Sequence, residues 1–155
     1  MHEYRRILAL VDFDPLGARV AHRAAALARL GNAELALLHW IEPDTQFDGG
    51  YPPPSPAEAR RGYETAALRR MQFFAGGLDH ANPELLAVYG PGRQTLLDRI
   101  EAWQPDLVVA GRDPGELGQR HDLLTLGQTR RGRGRLIRIL RGLLPGAEGW
   151  LAWRS

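Results

Sequence analysis

Residues 88–111 read VYGPGRQTLLDRIEAWQPDLVVAG, and this stretch decides the fold. The apolar run Glu84 to Tyr89 closes on Gly90-Pro91-Gly92, a turn that ends a strand. Arg93 to Trp103 then places Leu96, Leu97, Ile100 and Trp103 on one side of a helix. Pro105-Asp106 leads into Leu107 to Ala110, a second short apolar strand that ends at Gly111. A strand, a helix and a strand with short joints form the crossover that a parallel sheet requires.

Working towards the start of the chain, the same unit recurs. Arg5 to Val11 (RRILALV) reads as a buried strand ending at Asp12. Asp14-Pro15 supplies a capping acid followed by proline at the first helical position. The helix from Pro15 to Leu30 has Leu16, Val20, Ala24, Leu27 and Ala28 on one face, and Gly31-Asn32 ends it. Ala33 to Trp40 (AELALLHW) is the next strand. Residues 41–57, with five prolines and two glycines, form a long loop read as a flap. Glu58 to Leu78 is the second helix, with Ser55 read as a loop residue before it.

Working towards the end, residues 112–134 read as an irregular, Gly- and Arg-rich inserted loop. Arg135 to Leu144 forms a helix stopped by Pro145-Gly146, and Gly149 to Trp153 is a last strand. The order is β-α-β-α-β-α-β-α-β. It predicts one α/β domain over residues 1–155: a doubly wound, five-stranded parallel sheet with helices on both faces. Ligands of such sheets bind beyond the strand C-termini, where the strand order switches. The positions there are Asp12, His39-Trp40, Tyr89-Gly90 and Gly111.

Composition narrows the chemistry. The chain has 155 residues, 44% hydrophobic and 25% charged, in the globular range. It has no cysteine, which excludes disulfides and thiol catalysis. All 20 basic residues are arginine, which excludes a Walker or Schiff-base lysine. Nothing resembles a signal peptide or a membrane span of roughly 18 apolar residues, so a cytoplasmic protein is expected. Residues 1–129 carry 13 Arg against 17 acids, net −4, whereas residues 130–155 carry 7 Arg and one acid, net +6. The run from Arg130 to Arg141 lacks interleaved aromatics. It reads as a solvated helix face or a phosphate contact, and nucleic acid is not expected as a partner.

The segments YRRILALVDFD (4–14), AELALLHW (33–40), VYGPGRQTLLDRIEAWQPDLVVAG (88–111) and, more weakly, LIRILRGLLPG (136–146) together resemble the universal stress protein family. The resemblance implies a sheet like that of the adenine nucleotide alpha hydrolases, a homodimer, and in one branch a site for ATP or AMP. That branch carries G-x2-G-x9-G-[ST] after the fourth strand. Gly111 fits the first position, but Pro114 stands at the second and Leu124 at the third. Gly115 and Gly118 restore the first half in a shifted frame that ends at Gln128-Thr129. Aligned backwards from the last helix, the glycine step falls at Arg133-Gly134.

Glycines in such a loop let backbone amides approach phosphate. The nucleotide-binding candidates are therefore Asp12, whose counterpart in the family contacts adenosine, with Gly111, Gly115, Gly118, Arg133 and Gly134. Arg131, Arg133 and Arg135 are candidates to replace missing backbone contacts. Asp113, Glu116 and Asp122 are the acids that magnesium would use, and only beside a nucleotide. His39 is read as structural. His22, His80 and His121 lack metal-ligand spacing. Trp150 and Trp153 fit a last strand that pairs across a dimer.

Three functions follow. One is a stress-response or signalling protein that binds ATP or AMP and is not an enzyme beyond incidental hydrolysis. The second is a nucleotide-free dimeric interaction module of the same fold. The third is a related adenine-nucleotide enzyme, such as an adenylating ligase. That class needs an S-G-G-x-D-S type loop after the first strand, where this chain has DFDPLG.

Overall fold

A computed structural model describes residues 3–42, 55–80 and 82–127. The elements run β1 (Arg6–Leu10), α1 (Pro15–Gly31), β2 (Glu34–Ile41), α2 (Pro56–Gly76), β3 (Glu84–Tyr89), α3 (Arg93–Trp103), β4 (Leu107–Ala110), α4 (Leu117–Arg120) and β5 (Asp122–Thr125). The five strands form one parallel sheet in the order β3-β2-β1-β4-β5.

Side chains alternate across the strands, so each strand feeds two layers. Ile7, Ala9 and Val11 point with Leu35, Leu37, Leu107 and Val109 into a cluster with α1 and with Met71 of α2. Leu8, Ala36, Leu38 and Val108 point the other way, onto Leu96, Leu97, Ile100 and Trp103 of α3. The helices α1 and α2 thus cover one face and α3 the other. No polar or charged residue is buried among the described residues. Each fully buried Leu, Ile or Met contributes about 1.5–3 kcal/mol, which makes these two layers the main source of stability.

Local signals set the helix ends. The Asp14 carboxylate accepts from Gly17 N–H at 2.6 Å and caps α1, and Asn32 closes it in the left-handed region at φ 49°. At α2, Ser55 Oγ accepts from Glu58 N–H at 3.3 Å while Glu58 Oε2 accepts from Ser55 N–H at 3.2 Å. This is a reciprocal capping box with Pro56 in the first turn. Ser55 is therefore a helix cap rather than a loop residue, and α2 starts two residues earlier than expected.

The expected irregular loop over 112–134 is corrected where it is described. Residues 117–120 form α4 and residues 122–125 form β5, which pairs in parallel with β4. The strand is four residues long and only Leu124 is buried, so it carries little apolar patterning. The expected last strand 149–153, the helix 135–144 and most of the 41–57 flap lie outside the described residues. Among the described residues, no helix is long and apolar enough to cross a membrane.

Candidate functional site

The strand order reverses between β1 and β4. β2 and β3 extend the sheet to one side of β1, and β4 and β5 to the other. α3 carries the chain back over the opposite face. This is the topological switch at which doubly wound sheets leave a crevice. β1 and β4 run side by side, with Ala9 opposite Val109. Asp12 and Gly111 follow the ends of these two strands, so the fold brings both predicted residues to the crevice.

Asp12 is held by its backbone. A Cβ built on Gly17 would lie 2.7 Å from the Asp12 carbonyl carbon and would overlap its oxygen. The first turn of α1 therefore sits directly on the Asp12 peptide, and the Asp12 carboxylate, 82% exposed, is left in solvent. His39 supports it from β2. Its Nδ1 donates to the Val11 carbonyl at 2.7 Å and lies 3.9 Å from Asp12 Oδ1. Its ring packs on Phe13 at 4.2 Å, and the Arg70 guanidinium covers Phe13 at 4.3 Å. His39 ties the exits of β1 and β2 together, in line with its structural reading.

The exit of β4 is built from two glycines. A Cβ on Gly111 would lie 2.7 Å from Leu16 of α1, so the strand end packs tightly on that helix. Gly127, just after β5, donates its N–H to the Gly111 carbonyl at 2.7 Å, and a Cβ there would overlap that oxygen. Sequence reasoning missed Gly127 by counting fixed motif spacings to Leu124 and Gln128. The signal was present in DLLTLG (122–127), an apolar run closed by glycine after a conspicuous glycine-rich loop.

Between these glycines the loop runs through Asp113, Pro114 and Gly115. Asp113 Oδ1 accepts from Gly115 N–H at 2.8 Å, and Gly115 has φ 108°. Arg93, the first residue of α3, donates from Nη1 to the Pro114 carbonyl at 2.9 Å. Its guanidinium fills the space that a side chain at Gly115 would need. Gly118 lies in α4, beside Asp113. Arg131, Arg133, Gly134, Arg135, Trp150 and Trp153 lie outside the described residues.

The three acids considered for magnesium are not assembled. Asp122 begins β5 opposite Leu107, at the start of β4 rather than its exit, and accepts from Tyr4 Oη at 2.9 Å. Burial, reinforced by the Asp122 hydrogen bond and charge, pushes the Tyr4 hydroxyl well above its ordinary pKa. Among the described residues no group of three His, Asp or Glu stands where it would hold a metal.

A cavity of about 900 Å³ lies at the other end of the sheet, lined by Arg29, Asn32, Glu34, His80, Glu84 and Trp103 among others. Its charged groups are already partnered: Arg29 with Asp79, Arg6 with Glu34, and Glu84 with the Trp103 indole N–H. A smaller one of about 460 Å³ borders the edge strand β3, between Arg60 of α2 and Asp98 and Arg99 of α3. Neither includes the glycine pair. The chemistry-bearing backbone is at the strand exits, so volume alone is a poor guide to the site here.

A family model for the universal stress protein family matches residues 3–142. Among solved structures, a universal stress protein in complex with cAMP aligns with a TM-score of 0.58 at 19% identity, over 83% of this chain and 100% of that one. A universal stress protein family member from Burkholderia pseudomallei gives 0.52 at 20% identity, over 83% and 99%. The universal stress protein UspA of Lactobacillus plantarum gives 0.52 at 20%, over 94% and 95%. At these identities the likeness is one of fold. No curated protein matches the chain.

Proposed function

The chain belongs to the universal stress protein family, and from that premise we propose that it is a stress-response protein that binds an adenine nucleotide across the exits of β1 and β4. The observation that carries this reading is the Gly111–Gly127 backbone contact at 2.7 Å, at the same crevice as the exposed Asp12. Asp12 takes the nucleoside by accepting hydroxyl or amine hydrogen bonds, and the loop from Gly111 to Gly118 takes the phosphate. The neighbour crystallised with cAMP supports adenine nucleotides as the ligand class, and ATP and AMP are the first to try. Magnesium, if it takes part, comes with the nucleotide.

The protein acts by holding the nucleotide rather than by turning it over. The sequence has no lysine and no cysteine to serve as a base or nucleophile, and the Asp12 carboxylate stands in solvent. It works in the cytoplasm as a homodimer. The last strand expected over Gly149 to Trp153, with Trp150 and Trp153, is the segment that would pair with a second copy.

A second reading has its own support. Pro114 has no N–H, and the Gly115 N–H is committed to Asp113. Two amides that a phosphate would seek are thus withheld, as in a nucleotide-free interaction module. Native mass spectrometry of the full chain, alone and with millimolar ATP, AMP or cAMP, separates the two. The nucleotide reading expects one nucleotide per chain and its loss in Asp12→Ala. A chain that stays empty supports the interaction module instead.

A further inference from the structure

The same loop shows how phosphate would be recognised with those amides missing. We propose that Arg93, a residue of α3 rather than of the glycine loop, is the phosphate-reading group of this site. The inference rests on the nucleotide reading and deepens it: the ligand is a nucleotide held by a side-chain guanidinium in place of backbone N–H groups.

Three observations converge. Pro114 stands where the family motif has its second glycine, and proline offers no donor. The next amide, Gly115, is satisfied by Asp113 at 2.8 Å. At that same point the Arg93 guanidinium arrives from another element and docks on the Pro114 carbonyl at 2.9 Å. Gly115 is what admits it, because a Cβ there would lie 3.1 Å from Arg93 Cζ and closer still to Nη1. A guanidinium has five N–H donors in a planar fork that fits phosphate oxygens. One donor is spent on the Pro114 carbonyl, and this anchor orients the others.

The local charge balance agrees. Asp113 places a carboxylate inside the loop, which would repel phosphate unless a cation stands beside it. Arg93, docked on the adjacent Pro114 carbonyl, brings positive charge to the same loop, and as the first residue of α3 it adds to the positive end of the helix, with no acid in the first turn to offset it. A bare guanidinium is unfavourable at such a helix start, and an anionic ligand relieves the conflict.

The test compares AMP with adenosine by isothermal titration of the full-length wild type, Arg93→Ala and Arg93→Gln. Glutamine retains a donor for the Pro114 carbonyl but removes the charge. Arg93 is exposed, so both variants should fold, which circular dichroism checks. The expected result is a loss of AMP affinity of about tenfold or more in both variants, with adenosine affinity unchanged. Equal losses for AMP and adenosine would mean that Arg93 only shapes the loop, and would overturn the proposal, as would no loss for either. A wild type that binds neither ligand instead overturns the nucleotide reading itself, and this inference with it.

Discussion

Replacing Gly17 by alanine tests the packing that presents Asp12. The new Cβ would lie 2.7 Å from the Asp12 carbonyl carbon and 2.8 Å from its nitrogen. The Asp12 carbonyl oxygen would be closer still, in overlap, and ordinary heavy-atom contact is about 3.5–4.0 Å, so the first turn of α1 must retreat by more than about 1 Å. That retreat also stretches the cap, because Gly17 N–H is the group bound to Asp14 Oδ1 at 2.6 Å. Overpacking of this kind costs about 1–3 kcal/mol, and a lost N-cap about 1 kcal/mol. Alanine returns up to about 1 kcal/mol through helix propensity. The net expectation is a loss of about 1–4 kcal/mol. In urea, with a slope of about 1–3 kcal/mol/M for a small domain, the midpoint should fall by about 1 M at unchanged slope. Since Asp12 moves with the helix start, nucleotide binding should weaken as well. A variant as stable as wild type, or more so, would refute the claim that α1 rests on the Asp12 peptide.

Three further outcomes follow from the structure. Tyr4 titrates above its ordinary value in the fold because burial and Asp122 disfavour the tyrosinate. The stability this gives is complete below the unfolded pKa of about 10 and is lost as pH rises beyond it towards the folded value. Urea midpoints should therefore fall above about pH 10, and Tyr4→Phe should flatten that fall while losing about 1–3 kcal/mol at neutral pH with its hydrogen bond to the carboxylate. Met71 is fully buried between α2 and the sheet, so Met71→Ala should cost about 2–5 kcal/mol in the same assay. His39→Phe keeps an aromatic ring against Phe13 but loses the bond to Val11. It should cost about 0.5–1.5 kcal/mol by denaturation, and a pronounced loss of fold would contradict its role as a tie.

The first four strands and first three helices were legible because each carries a long, uninterrupted signal. RILAL and LVVA are continuous apolar runs, and Leu96, Leu97, Ile100 and Trp103 share one helical face. Their order alone implies the switch between β1 and β4, and hence Asp12 and Gly111. β5 was not legible, because a four-residue strand buries one side chain and leaves almost no pattern. Gly127 was missed for a related reason: it lies three residues farther from Gly111 than the motif allows, so counting from Gly111 stops short at Leu124, and the shifted frame from Gly115 oversteps to Gln128. The Ser55–Glu58 capping box was readable as S-P-A-E but was masked by the surrounding prolines. Arg93 could not be read from sequence at all. It meets Pro114 across 21 positions, and only the return of α3 over the sheet brings the two together.

The most direct test of the central claim is an amide chemical-shift titration of the ¹⁵N-labelled full chain with AMP. The account predicts saturable shifts at Asp12, Gly111, Gly115 and Gly127, with those at Asn32, Glu34 and Asn82 unmoved. Shifts confined to Asn32, Glu34 and Asn82, around the cavity at the opposite end of the sheet, or no shifts at millimolar AMP, would contradict it.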